Sequence, residues 1–124
     1  MTAERLVVDS LHDILDATSA AIEFLSDLTK DEFVLDRKSQ FAVIRALEII
    51  GEASRRIPRS FRGDHPEIPW AAMSGMRDKL IHDYFGVSLD VVWRTVHDDL
   101  HPLRNSIANL LNQMNSRDSS EAHP

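Results

Sequence analysis

The stretch from Asp36 to Pro58 reads DRKSQFAVIRALEIIGEASRRIP and contains a clear helical pattern. Its apolar residues recur at steps of three and four, the spacing that gives a helix one buried face. Asp36 is a favourable N-cap residue, and Pro58 ends the helix because proline has no amide hydrogen. The spacing therefore predicts a helix over Asp36–Ile57. Its predicted buried face consists of Phe41, Ile44, Leu47, Ile50 and Ile57.

The same apolar spacing predicts a helix over residues 3–28 before this segment and two helices after it. The third helix covers Pro69–Phe85, and the fourth runs from after Ser88, a plausible N-cap, to about residue 115. Pro102 falls inside the fourth pattern and predicts a kink or break near His101.

The segment PRSFRGDHPEIP, residues 58–69, predicts a loop because three prolines and a glycine interrupt any pattern. No segment alternates polar and apolar residues as a strand would. The sequence therefore predicts an all-α fold, an antiparallel bundle of four to five helices. We expect one domain over residues 1–115 and a disordered tail over residues 116–124, where periodicity stops.

Composition narrows the class of protein. The 124 residues contain no cysteine, which excludes a disulfide framework and a cysteine-based zinc site. No apolar run approaches the roughly 20 residues of a membrane span, so we expect a cytoplasmic protein without membrane contact. The formal net charge of −6 argues against a protein that coats nucleic acid, but permits a local basic site or a basic partner.

The segment GMRDKLIHDYFGV contains the residue types needed to cleave RNA without a metal. Such cleavage needs a group that moves protons near neutral pH, which His82 can supply. It also needs a fixed positive charge for the phosphorane, which Arg77 can supply. On an ideal helix Arg77 and Tyr84 share a face, whereas His82 lies about 140° from Arg77. Spacing alone therefore leaves open a solvated arginine and a capping or core histidine.

Four segments resemble the HepT branch of the HEPN superfamily of nucleotide-binding domains. They are AVIRALEIIGEASRRIP (42–58), HPEIPW (65–70), MRDKLIHDYFGVSLDVVW (76–93) and VHDDLHPL (96–103). The resemblance covers the chain from its first helix to about Leu103. An Arg-x4-His pattern alone is weak, but in this order and with these flanks it is specific.

The resemblance implies a helical homodimer with the Arg-x4-His motif in a cleft between the two subunits. It implies a metal-independent endoribonuclease toxin, with tRNA as a candidate substrate, in which Arg77 and His82 are catalytic. It also implies a minimal nucleotidyltransferase antitoxin, MntA, that AMPylates the motif tyrosine, Tyr84. A bulky anionic nucleotide there would block RNA entry and cancel the positive charge of the site.

One departure concerns the residue after the motif arginine. HepT-like chains commonly have asparagine there, and this chain has Asp78. An aspartate beside Arg77 could orient it as catalytic support, or could weaken the positive field that a phosphate needs. Together with the acidic net charge, this keeps a second hypothesis open: a non-catalytic module that binds a nucleotide or a partner.

Other candidate groups are weaker. Glu48 and Glu52 share a helix face, where we expect them to pair with Arg45 or Arg55 rather than to hold a metal. Gly51 between them predicts a close approach of two helices.

The basic run Arg55, Arg56, Arg59 and Arg62 is usually a solvated surface, with RNA phosphate binding by the first three as the alternative. His97 and His101 have metal-ligand spacing but lack a third ligand, so we expect neither a metal nor a cofactor. We expect Trp70 and Trp93 to anchor the core or an interface.

Overall fold

The computed structural model describes the backbone of residues 2–82 and 88–121, without the side chains of residues 3, 81, 82 and 117–121. Within these ranges the chain forms only helices and connecting turns, which confirms the predicted all-α bundle. The long helices are α1 (Ala3–Leu25), α3 (Arg37–Arg56), α5 (Trp70–His82) and α7 (Leu100–Glu121). The short ones are α2 (Lys30–Leu35), α4 (Arg59–Asp64) and α6 (Leu89–Arg94), with a π-helical segment at Thr95–Asp99.

α3 is the central helix of the bundle, since it packs against both α1 and α5, while α1 also packs against α7. α3 begins as predicted: the side chain of its N-cap, Asp36, accepts a hydrogen bond from the Ser39 amide at 3.3 Å. This bond satisfies one of the amides that a helix start leaves without a partner.

The buried face of α3 is broader than predicted and excludes one predicted residue. Leu47, Ile50 and Ile57 are buried as expected, but Phe41 is 56% exposed, which corrects that part of the prediction. Phe41 instead lies beneath the Arg37 guanidinium, 5.6 Å from the ring centroid. The small residues Ala46, Gly51, Ala53 and Ser54 are buried because α3 is covered on two sides.

The connections contain two short helices that the sequence pattern did not predict. α2 starts with a reciprocal capping box, in which Thr29 and Glu32 each accept a hydrogen bond from the other's backbone amide. α4 occupies part of the predicted loop at residues 58–69, so the loop prediction is wrong there. Trp70 is buried as predicted, and its indole N–H donates to the His65 carbonyl at 2.9 Å.

The last part of the chain is one nearly continuous helical rod that starts at Ser88, the predicted N-cap. Pro102 does not break it. The irregularity appears instead as the π-helical turn Thr95–Asp99, immediately before the proline. A wider turn there accommodates a proline ring that would collide with the carbonyl four residues earlier.

α7 continues to Glu121, beyond the helix end predicted at residue 115. The division of the chain into a domain and a tail stays a prediction. In the ranges that the structure describes, no helix combines the length and apolar character required to cross a membrane.

Candidate active site

The site begins with a close contact between α3 and α5, as Gly51 predicts. A Cβ atom on Gly51 would lie 2.9 Å from the Met73 carbonyl oxygen and would overlap the Cβ of Arg77. Ser54, fully buried, donates to the Gly51 carbonyl at 2.8 Å and lies 3.0 Å from the Ser74 hydroxyl. Since only small residues allow two helix backbones to come this close, Gly51 fixes where the Arg77 side chain starts.

Arg77 lies at the edge of this contact, with 26% of its side chain exposed. Its Nε is buried and has no hydrogen-bond partner among the described residues. Two carboxylates face the guanidinium from different helices: Glu52 Oε1 lies 3.9 Å from Nε, and Asp78 Oδ1 lies 3.6 Å from Nη1. Both separations exceed a normal hydrogen bond, so the attraction is electrostatic.

The two carboxylates are in turn paired with other arginines. Asp78 also pairs with Arg55, and Glu52 pairs with Arg45 at 3.6 Å, while Glu48 contacts Arg45 at 3.3 Å. We call the group that surrounds Arg77 the arginine–carboxylate cluster; it consists of Glu52, Arg55, Arg77 and Asp78. Arg45 and Glu48 lie outside it, and its two guanidinium and two carboxylate groups have a formal sum of zero. An arriving phosphate must therefore compete with carboxylates already present.

The backbone of His82 lies on α5, but its side chain lies outside the described residues, as does all of Tyr84. The catalytic role of His82 and the modification of Tyr84 thus stay predictions. The structure does place Arg77 and His82 on the same helix, with the last turns of α5 between them.

The four arginines of the basic run do not form one patch. Arg55 pairs with Asp78 beside Arg77, whereas Arg56 points to α1 and pairs with Asp13 at 3.2 Å. Arg59 and Arg62 instead line a shallow cavity of about 650 Å³ next to the start of α5. Of the three arginines proposed for RNA, only Arg55 is joined to the cluster around Arg77.

The other candidate groups have structural contacts. His97 stacks on Trp93 at 4.0 Å between ring centroids, and its Nδ1 lies 2.9 Å from the Trp93 carbonyl. Trp93 also contacts the buried Phe33, at 5.6 Å between centroids. In the part of the chain with described side chains, no three acidic or histidine residues are grouped as metal ligands.

Sequence reasoning did not predict that Glu52 faces Arg77. It predicted that Glu48 and Glu52 pair with Arg45 or Arg55, and both contact Arg45. The position of Glu52 next to Gly51 could have predicted this contact. If Gly51 lies where another helix comes closest, the next residue lies at the margin of that helix contact.

Fold and site together define a class of protein. It is an all-helical bundle in which one helix contains both the motif histidine and an arginine that faces two carboxylates. A family model described as "Ribonuclease HepT-like" matches residues 14–110. The chain therefore belongs to the HepT-like ribonuclease family.

Individual relatives agree with this assignment. The chain is 52% identical over 102 residues to "Probable ribonuclease HepT" of Thermococcus cleftensis, and the matched region covers 82% of this chain and 93% of the relative. It is 42% identical over 105 residues to "Putative RNase MJ1380" of Methanocaldococcus jannaschii, over 85% of this chain and 96% of that relative. It is also 39% identical over 101 residues to "Putative RNase TTE0752" of Caldanaerobacter subterraneus, over 82% of this chain and 90% of that relative. No solved structure matches the chain.

Proposed function

We propose that this protein is the ribonuclease toxin subunit of a toxin–antitoxin pair and cleaves RNA without a metal. The observation that carries the proposal is the placement of Arg77 in a HepT-like chain: partly exposed, facing two carboxylates, on the same helix as His82. A partly exposed guanidinium whose direction is set by neighbouring carboxylates can offer its remaining N–H groups to a phosphate, and such preorganised donors stabilise a transition state electrostatically.

In the proposed reaction a base removes the proton of the ribose 2′-hydroxyl, and this oxygen attacks the adjacent phosphorus. The bond from phosphorus to the 5′-oxygen breaks, and an acid protonates the leaving oxygen. The products are a 2′,3′-cyclic phosphate and a 5′-hydroxyl end. Arg77 stabilises the extra negative charge on the phosphorane, and His82 supplies proton transfer.

The reaction needs two proton-transfer groups, and one chain offers one motif histidine. We therefore propose a homodimer in which two copies of the motif share one cleft, so that one His82 acts as base and its counterpart as acid. This arrangement also removes the need to place Arg77 and His82 on one face of a single helix.

The test is cleavage of total RNA and tRNA by purified protein in the presence of a metal chelator. We expect His82→Ala to lower the rate by about 10²–10⁴-fold, because proton transfer by a side chain contributes that much. His101→Ala is the matched control, since His101 is exposed and lies on α7 rather than on the motif helix α5. Cleavage and growth inhibition that persist in His82→Ala would contradict the proposal.

Regulation by a minimal nucleotidyltransferase antitoxin belongs to the same proposal. AMPylation of Tyr84 would add an anionic nucleotide two residues after His82. Intact mass after co-expression with such a partner should increase by one or more AMP units in the wild type and not in Tyr84→Phe. An unchanged wild-type mass would remove this part of the proposal without affecting the ribonuclease.

The charge balance of the cluster supports one competing function. Glu52 and Asp78 offset the charge of Arg77, and the whole chain has a net charge of −6. A non-catalytic module that binds a nucleotide or a protein partner would have this property. It predicts a dimer that binds its partner but leaves total RNA and tRNA intact.

A further inference from the structure

We propose that Glu52 is a positioning residue for the ribonuclease site. Its carboxylate, placed by the contact with Arg45, sets the direction in which the Arg77 guanidinium points. The catalytic part of this inference rests on the proposed function, whereas the orientation of Arg77 can be measured independently of it.

The first support is the missing hydrogen bond at Arg77 Nε. This atom is buried and lacks a hydrogen-bond partner in the described residues, although an unsatisfied buried donor is costly. The carboxylate that faces it is Glu52, with Oε1 at 3.9 Å. A movement of less than 1 Å would convert this contact into a charged hydrogen bond, so Glu52 is the group able to satisfy Nε.

The second support is that the two acidic neighbours face different nitrogen atoms of the Arg77 guanidinium. Glu52 faces Nε, and Asp78 faces Nη1 at 3.6 Å. For Nη2, the structure gives no carboxylate within 4 Å among the described residues. With one side held by Glu52, a guanidinium still has terminal N–H groups with which to meet a phosphate.

The third support is the anchoring of Glu52 itself. Arg45, about two turns before Glu52 on α3, contacts both Glu52 at 3.6 Å and Glu48 at 3.3 Å. Glu48 thus shares the helix, the charge and the arginine partner of Glu52, but it has no contact with Arg77. The chain therefore contains its own matched control.

The experiment compares Glu52→Gln with Glu48→Gln, both of which keep the side-chain shape and remove one charge. In RNA cleavage we expect Glu52→Gln to lower kcat by about tenfold to a hundredfold, because a misplaced catalytic group costs up to that much. KM should stay equal or fall, since a negative charge near the phosphate site is lost. Glu48→Gln should stay within about twofold of the wild type, and Glu52→Asp, which keeps the charge, should recover part of the rate.

A second measurement follows the Arg77 Nε–H resonance by NMR, assigned with Arg77→Lys. Glu52→Gln should shift this resonance and speed its exchange with water, and Glu48→Gln should leave it unchanged. Melting temperatures of both variants equal to that of the wild type would show that the fold is intact in both.

The outcomes separate the two proposals. If the wild type cleaves RNA but Glu52→Gln keeps its kcat, or if both variants lose it equally, the positioning role is wrong. If the wild type does not cleave RNA, the proposed function fails, and the Arg77 resonance alone decides whether Glu52 orients Arg77. A resonance that does not respond to Glu52→Gln overturns the inference in either case.

Discussion

The two sides of α3 are built from different residues. Towards α1, α3 packs against a helix with fully buried apolar residues, Leu11 and Ile14, and the exposed pair Arg56–Asp13 joins the two helices. Towards α5 the contact depends on Gly51 and on the hydroxyl pair Ser54–Ser74, with charged side chains along its edge. We call these the α1–α3 seam and the α3–α5 seam.

The difference separates stability from chemistry. Large buried side chains stabilise a fold by removing apolar area from water, about 1.5–3 kcal/mol for each fully buried aliphatic residue. Small residues contribute less burial but allow two backbones to come close, which places charged side chains at a defined distance from each other. The α1–α3 seam should therefore determine whether the chain folds, and the α3–α5 seam where Arg77 lies.

The largest effect is expected from Ile14→Ala in the α1–α3 seam. Ile14 is fully buried, so the change should lower the free energy of unfolding by about 2–5 kcal/mol through lost burial and a cavity. Chemical denaturation measures this change. RNA cleavage per folded molecule should remain within about twofold, and a selective loss of cleavage would show that the seams are not separate.

Gly51→Ala should disturb the close helix contact in the α3–α5 seam. The added methyl group would meet the Met73 carbonyl and the Arg77 Cβ, neither of which is the far end of a flexible side chain. We expect a loss of about 1–3 kcal/mol from overpacking, which the better helix propensity of alanine offsets only in part. Cleavage should fall further than this loss of folded protein explains.

Gly75→Ala is its matched control on the partner helix. A Cβ atom there would meet nothing within 4 Å, so alanine should raise stability by roughly 0.5–1 kcal/mol. Equal behaviour of the two variants in denaturation would contradict the close contact at Gly51.

Two neighbouring arginines, Arg55 and Arg56, belong to different seams and can be compared directly. Arg55 pairs with Asp78 in the arginine–carboxylate cluster, and Arg56 pairs with Asp13 across the α1–α3 seam. Arg55→Ala should lower the RNA cleavage rate by about two- to fivefold, the range expected for the loss of an exposed ion pair. Arg56→Ala should leave the rate unchanged, and equal losses in both would favour a general basic surface for RNA.

The smallest effect is expected at Asp36, where α3 starts and where both seams depend on the same helix. Hydrogen bonds from the Ser39 hydroxyl and amide hold the pKa of Asp36 below its usual 3.8. The charged form thus stabilises the fold above that pH, and the stabilisation is lost as the pH falls through the lowered pKa.

The melting temperature of Asp36→Ala should therefore be lower than that of the wild type at pH 7. The difference should narrow as the pH falls below 3.8. The difference in melting temperature between Asp36→Asn, which can still cap the helix, and Asp36→Ala should show little pH dependence. Cleavage per folded molecule should not change. A constant difference across the acid range would show that the charge of Asp36 is not what stabilises the helix start.

Much of the fold could be predicted because its signals are local. The caps at Asp36 and Ser88, and the close contact at Gly51, follow from the residue type at one position. The exposure of Phe41 and the helix α4 could not be predicted in this way, because they depend on which elements cover α3 and on what precedes α5. The motif likewise identified Arg77 and Asp78, but not Glu52.

Periodicity, capping and motif order are properties of neighbouring positions, so the helical class, the family and the identity of the motif residues follow from the order of amino acids alone. Which charges meet depends instead on how the helices pack. Glu52 and Arg77 are 25 positions apart, and Arg55 and Arg56, adjacent in the chain, face different helices. Electrostatic attraction depends on distance in space, and the packing of α3 against α5 sets that distance.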